Sequence, residues 1–507
     1  MTETDNTETD NTTRSTKTGV YPSPLMPMPN ARLMLEDSLT ANGMVTTRRQ
    51  RDSWLEWSHD HWAEIEETRL RQAMYIRFEH ARYQTDKGTT PEWSPTTRRV
   101  TDVMDALEAL VYLHKDVQAP AWLDGDPAPD GVPANEVVAC RNTLLHITTR
   151  KEYELTPALF NRVAVPFDYD PAAPEPAAWL AFLEVLWPGD QDSHDLLGEW
   201  FGYVLSGSTR LHKILLMLGP SRSGKGTIAR VLQGLVGVGN YVGTSLASLG
   251  SQFGLEALVD KPLAILADAR SDARPNAVTL ERLLKISGDD DMSVDRKHRV
   301  DWNGIMPTRL VILSNELPQF GDSSAAIIGR FVTLTMTESF LGREDHALLS
   351  RLIPELPGIL LWALAGLDRL VRNDNRFTVP QSSEQTVRTM HDLTSPIGAF
   401  LRDRCTFGPG HRVIVADLYD AWCAWCKEQG RDHPGNVQTF GRNLQSAAPG
   451  LRISSPRIGL MGAQVRCYDG IELKEPGKLP LCVLQDCLWV AADGSQFCTR
   501  HPQGSAG

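Results

Sequence analysis

Apolar positions along the chain gather into short continuous runs and into stretches of helical spacing. The clearest run, Ile214-Leu215-Leu216-Met217-Leu218, stops at Gly219. Beyond a polar, glycine-bounded segment, Ile228-Ala229-Arg230-Val231-Leu232 takes up helical spacing. A run that short, closed by glycine, predicts a buried strand, and the pattern after it predicts a helix. Three more runs, at 262–267, 309–314 and 331–336, alternate with helical or irregular stretches. Such alternation predicts an α/β unit of parallel strands over 209–375. An apolar helical region at 343–373, interrupted at Pro354 and Pro357, closes it.

On either side the pattern changes. Helical spacing over 54–83, rich in Trp, Glu and Arg, and over 101–115, through Val103, Leu107, Leu110 and Leu113, predicts a mainly helical region at 19–135. Strand-like runs at 137–140, 144–148 and 163–165, then helical stretches at 179–186 and 194–205, make 136–208 a mixed α/β domain leading into the parallel unit. Downstream, helical patterns at 396–405, 415–428 and 437–446 precede a β-like segment at 451–473. Three helices followed by a hairpin predict a winged helix-turn-helix over 384–475. Residues 1–18, rich in Thr, Asp and Asn without apolar periodicity, are expected to be disordered. No internal repeat is present.

Composition narrows the class. A chain of 507 residues corresponds to roughly three or four domains, and 41% hydrophobic content is that of an ordinary globular protein. No uninterrupted apolar run approaches the ~20 residues of a membrane span and the N-terminus is polar, so a cytoplasmic protein without a membrane partner is expected. The net charge of −12 gives no global footprint for nucleic acid. Any DNA contact must come from a local basic patch. In a reducing compartment, the clustered cysteines at the end of the chain favour metal over disulfides.

The segment between strand and helix carries the first chemistry. Gly219-Pro220-Ser221-Arg222-Ser223-Gly224-Lys225-Gly226-Thr227 has the glycines that let backbone N–H groups curl around phosphate oxygens, and a lysine to reach the β- and γ-phosphates. The position after Lys225, usually Ser or Thr, is Gly226, with Thr227 one residue later. Nucleotide kinases of the adenylate kinase type share this ending. The run at 262–267 leads into Asp268, an acid placed to hold Mg²⁺. The run at 309–314 leads into Asn315, an amide able to orient water or sense a γ-phosphate. Arg330 stands just before the last strand. Between them, an acidic turn at 289–291 runs into the basic cluster Arg296-Lys297-His298-Arg299, read either as a solvated loop or as a hairpin tip that meets a phosphate backbone. At the end of the chain, within 480–507, Cys482, Cys487, Cys498 and His501 are spaced C-x₄-C-x₁₀-C-x₂-H, two ligand pairs suited to a structural Zn²⁺.

These ordered motifs resemble those of the superfamily 3 replicative helicases of phages, plasmids and large DNA viruses, the poxvirus-type primase-helicase group. The resemblance rests on GPSRSGKGT at 219–227, LAILAD at 263–268, LLKISGDDD at 283–291, VILSNELP at 311–318, GRF at 329–331 and ELPGILLWALAGLDRL at 355–370. Upstream, VPFDYDPAAP and LGEWFGYVLSG look like the domain preceding the motor in that group. It implies an AAA+-like motor, a homo-hexameric ring around single-stranded or forked DNA, driven by ATP with Mg²⁺. By the same resemblance Lys225 and Thr227 bind phosphates and metal, and Asp268 is the Walker B acid. Asn315 is the sensor, and Arg330 is a finger supplied to the neighbouring subunit. Lys285 lies in the group's additional motif, and Lys297 and His298 lie on a hairpin facing the central channel. The glutamate that usually accompanies the Walker B acid is missing, since Ala267 and Ala269 flank Asp268. Residues 1–135 show no evident acidic metal triad, so primer synthesis is not expected of this chain and a separate primase is a candidate partner. Two other readings stay open: a P-loop kinase, from the GKGT ending, and a DNA-binding regulator with a degenerate motor, from the missing glutamate.

Overall fold

The structure, a computed structural model, describes residues 20–36, 43–123, 128–267, 277–318, 325–394, 396–431, 433–458 and 463–474. The disorder expected at 1–18, the acid Asp268 and the cysteine-rich tail fall outside these residues. The chain divides into two compact units, Met1–Pro318 with Arg330–Glu384, and Gln319–Gly329 with Gln385–Gly507.

The first unit opens on more β-structure than its pattern predicts. Helices Pro27–Glu36, Glu67–Phe78 and Thr97–Val111 accompany a four-stranded sheet of Trp62–Ile65, Ser53–Trp57, Thr47–Gln50 and Tyr112–Leu113, in that order. The helical reading of 54–83 therefore holds only for its second half. The first half is a hairpin, with Trp57 opposite Trp62. Both faces of this sheet are covered: Trp54 packs with Met74, Phe78 and Trp93, whereas its neighbour Leu55 packs with Trp62 and Phe160. A strand covered on both sides loses the alternation that marks it in sequence.

The core of the unit is a five-stranded parallel sheet. Two helices lead into it, α1 (Ala177–Leu186) and α2 (Gln191–Leu205), both as their spacing predicts. Its elements are β1 (Ile214–Leu218), α3 (Lys225–Val236), β2 (Tyr241–Thr244), β3 (Leu263–Leu266), α4 (Ala277–Gly288), β4 (Met292–Val294), β5 (Trp302–Gly304), β6 (Arg309–Ser314), β7 (Phe331–Thr335) and α5 (Leu356–Arg372). The sheet order is β2-β3-β6-β1-β7, all neighbours parallel, while β4 and β5 form a separate antiparallel hairpin. The order puts β1 between β6 and β7, so the residues that follow β1 and β6 emerge side by side.

Helices α2 and α5 meet through glycines, which explains the spacing of two of the quoted segments. A Cβ on Gly366 would lie 2.2 Å from the Gly198 carbonyl carbon, and one on Gly202 would lie 2.4 Å from the Ala363 carbonyl oxygen. Beside this contact Glu199 is fully buried. Its carboxylate accepts from Arg369 Nε at 3.1 Å, from the Thr378 backbone N–H at 2.7 Å and from Thr378 Oγ1 at 2.7 Å. Removing one partner of a buried charged network strands the other. Glu199→Ala is expected to lower unfolding free energy by about 3–5 kcal/mol; a loss below about 1 kcal/mol in denaturant titration contradicts this role. The helical stretch Leu348–Arg372 is long and apolar enough to cross a membrane by length and composition alone. Leu352, Ile359, Leu360, Leu364 and Leu370 from it are buried in the unit's largest apolar cluster.

In the second unit, helices α6 (Pro396–Arg404), α7 (Val415–Glu428) and α8 (Val437–Ala447) surround a core of Phe400, Trp422, Trp425, Cys426, Phe440 and Ile471. The helices fall where the spacing predicts. A three-stranded antiparallel sheet accompanies them, ordered β8 (Cys405–Ile414), β10 (Cys467–Leu473), β9 (Arg452–Ser454). Cys426 is buried in this core and Cys423 packs against it.

Candidate functional site

The loop after β1 is held between two strand ends. The Gly219 N–H donates to the Ser314 carbonyl at 3.2 Å, tying the loop to the end of β6, and Met336 N–H donates to the Leu218 carbonyl at 2.8 Å on the β7 side. The turn into α3 is made at Gly224, whose φ of +93° favours glycine. A Cβ there would also meet Leu186 Cδ2 of α1 at 2.8 Å. The loop therefore delivers its backbone to the amino-terminal end of α3, where helix N–H groups and dipole favour an anion.

Lys225 is the first residue of α3 and is 8% exposed. Its ammonium donates to the carbonyls of Gly219 at 2.6 Å and Pro220 at 2.8 Å and to Ser223 Oγ at 3.1 Å. The cation thus lies folded over the loop's own oxygens, within one turn of Thr227. At Gly226 a Cβ would meet nothing within 4 Å. Packing does not require glycine there.

A strap missed in the sequence closes the other side. Ser339 Oγ donates to the Ser221 carbonyl at 2.8 Å, Phe340 N–H donates to the Arg222 carbonyl at 3.0 Å, and Arg222 faces Glu344 at 3.7 Å. No pattern marks 339–344, because its role depends on backbone groups rather than side-chain periodicity.

Parallel register places the other motif residues. Ser314 is the partner of Leu218, so Asn315, exposed, stands beside Gly219 at the carboxyl edge of the sheet. Leu266 is the partner of Ile312, so β3 runs toward that same edge. Arg330 is elsewhere. It precedes Phe331, the partner of Ile214, and its carbonyl accepts from the Ile214 N–H at 2.8 Å. It therefore lies at the amino edge, a strand length of about 16 Å from the loop at ~3.3 Å per residue. Its guanidinium donates to the Ser287 carbonyl at 3.3 Å. Burial, and secondarily the Arg330 charge, hold the nearby Lys213 ammonium below its ordinary pKa.

The basic cluster is the connection of a hairpin. β4 pairs with β5 through Val294 and Trp302, and Lys297, His298 and Arg299 are exposed between them, with Arg296 half-buried. Arg299 faces Glu64 at 3.4 Å and the Lys297 N–H donates to Glu256 at 3.3 Å. Lys285, on α4, pairs with Glu281 at 2.8 Å. The structure thus separates the motif residues into a loop edge with Lys225, Thr227 and Asn315, and an opposite edge with Arg330 and the hairpin. Among the described residues no cluster of His, Cys, Asp or Glu forms a metal site.

Residues 217–330 match a family of unknown function, DUF5906. Over 88% of the chain, the fold is similar to three solved structures of the C-terminal region of NrS-1. One, an A-form apo structure, has a TM-score of 0.51 at 12% identity and is covered completely. The other two, both of residues 305–718, have TM-scores of 0.51 and 0.52 at 14% identity, each covered to 99%. At such identities the shared property is the fold.

Proposed function

We propose that the chain is a phage-type replication protein whose parallel-sheet unit is an ATP-driven DNA helicase motor working as a ring. The observation that carries this reading is the separation of Arg330 from the loop by the length of the sheet. A ring assembles a nucleotide site from the loop edge of one copy and the opposite edge of the next, and Arg330 stands on that opposite edge. A kinase that acts as a monomer has no use for it there.

In this reading the loop N–H groups and Lys225 bind the phosphates of ATP. Lys225 exchanges the Gly219 and Pro220 carbonyls for β- and γ-phosphate oxygens as nucleotide enters. Thr227 with Asp268 would hold Mg²⁺, which supplies positive charge to the phosphates. Asn315 orients the attacking water, and Arg330 of the neighbouring copy neutralises charge that develops on the transferred group. The hairpin at 292–304 contacts the DNA backbone, with Lys285 nearby on α4. The helices and sheet of the second unit act as a winged helix, and the tail binds Zn²⁺ through Cys482, Cys487, Cys498 and His501.

ATP turnover with and without single-stranded DNA tests this. Stimulation several-fold above the basal rate is expected. Turnover indifferent to DNA would remove the helicase reading, and phosphoryl transfer to a nucleotide acceptor would favour the kinase.

A further inference from the structure

A sizeable cavity of the first unit lies away from the loop. A space of about 690 Å³ is lined by residues that precede β1, β2, β3 and β6, by the amino-terminal sheet and by the hairpin. It therefore sits at the amino edge of the parallel sheet, opposite the edge where Lys225 and Asn315 lie. Its size is that of a pocket for a small organic ligand, roughly 300–1,000 Å³.

Its chemistry runs against that of the chain as a whole. In a protein of net charge −12, six cationic side chains line this one cavity: Arg51, Arg162, Lys261, Arg296, Arg299 and Arg309. Three carboxylates, Glu64, Glu256 and Asp260, face them. They neutralise only part of the charge. Arg299 pairs with Glu64 at 3.4 Å and Arg162 with Asp260 only at 4.0 Å. Arg51 and Arg296 form no ion pair among the described residues; Arg51 lies over the Trp302 ring, 5.3 Å from its centre. The two terminal nitrogens of Arg309 are committed to structure, donating to the Val204, Gly207 and Pro307 carbonyls at 2.7, 3.0 and 2.8 Å. The remainder of the lining mixes polar side chains, among them Gln50, His61 and Asn240, with exposed apolar ones, Val238 and Ile305.

Guanidinium groups favour phosphate because their N–H forks match its oxygens, and a lining of mixed polar and apolar side chains beside them suits a sugar and base. We propose that this cavity binds a nucleotide, either a free nucleoside phosphate or a unit of a single DNA strand. It is a second nucleotide site, walled on one side by the amino-terminal region and on the other by the hairpin. Arg51, Arg162 and Lys261 supply cations to the phosphate, and Glu64 holds Arg299 at the rim. The site does not depend on the loop at 219–227 binding ATP.

The test uses the full chain carrying Lys225→Ala, titrated separately with ATP by calorimetry and with a fluorescent deoxythymidine oligonucleotide by anisotropy. At least one probe is expected to bind. Adding Arg51→Gln and Arg162→Gln is expected to weaken that binding by about tenfold or more, the loss of charge-assisted phosphate contacts. Lys261→Gln is made separately, with thermal unfolding recorded, so that a fold defect in the arginine variants does not stand in for lost binding. Binding of ATP alone identifies a free nucleotide as ligand, and binding of the oligonucleotide alone identifies the strand. The proposal is overturned if neither probe binds the Lys225→Ala chain, or if binding ignores all three substitutions. Failure of the loop reading would show differently, as ATP hydrolysis that survives Lys225→Ala.

Discussion

Lys225→Ala is expected to lower ATP hydrolysis by at least about a hundredfold, the scale on which a positioned charge-stabilising donor acts. The ammonium donates to the loop's own oxygens, at Gly219, Pro220 and Ser223. It contributes to the site rather than to the apolar core, so the fold should survive. Thermal unfolding should move by no more than a few degrees, corresponding to about 1 kcal/mol or less. Steady-state turnover and a melting curve on the same preparation check both statements. Turnover retained in a folded Lys225→Ala protein would place the nucleotide chemistry elsewhere.

The second large effect belongs to Arg330. Arg330→Ala should leave nucleotide affinity within a few-fold and reduce turnover by about 10³ or more, the range measured for arginines that neutralise transferred phosphoryl groups. Its backbone bond to Ile214 does not involve the side chain, and the guanidinium's contact is one carbonyl, Ser287, at 3.3 Å. Arg330→Lys keeps a cation there without the planar fork and should recover little activity. A monomeric kinase predicts the opposite, because a side chain at the far edge of the sheet cannot reach a phosphate held at Lys225. Turnover unchanged in Arg330→Ala would favour that reading.

The central strands were legible in the sequence because burial on both faces makes them continuous apolar runs. β1, β3, β6 and β7 fall where the runs at 214–218, 262–267, 309–314 and 331–336 place them. Strand β2, Tyr241–Thr244, was not legible: it lies at the sheet's end, holds Gly243 and is only partly covered. Strand β8 carries Gly408, Pro409 and Gly410, which read as punctuation, and its pairing register shifts between Phe407 and Arg412. The run at 163–165 is not a strand; its Val165 N–H makes a single bond to the Ala139 carbonyl ahead of Pro166. For the site, strand-end positions made Asn315 legible, since a residue after a parallel strand falls at the edge where such sheets bind ligands. The distance of Arg330 from the loop was not legible, because it follows from the β1–β7 register. The cationic cavity was invisible for a similar reason. It gathers side chains from Arg51 to Arg309 that no local spacing connects.

The account turns on a nucleotide site shared between copies, and mixing the two inactive variants tests it most directly. Arg330→Ala protein retains an intact loop, and Lys225→Ala protein retains an intact arginine. At an interface where the first supplies the loop and the second supplies Arg330, a complete site is restored. ATP turnover of an equimolar mixture, after exchange of subunits, is predicted to rise clearly above the sum of the two variants alone. A mixture that turns over ATP no faster than its components would contradict the shared site.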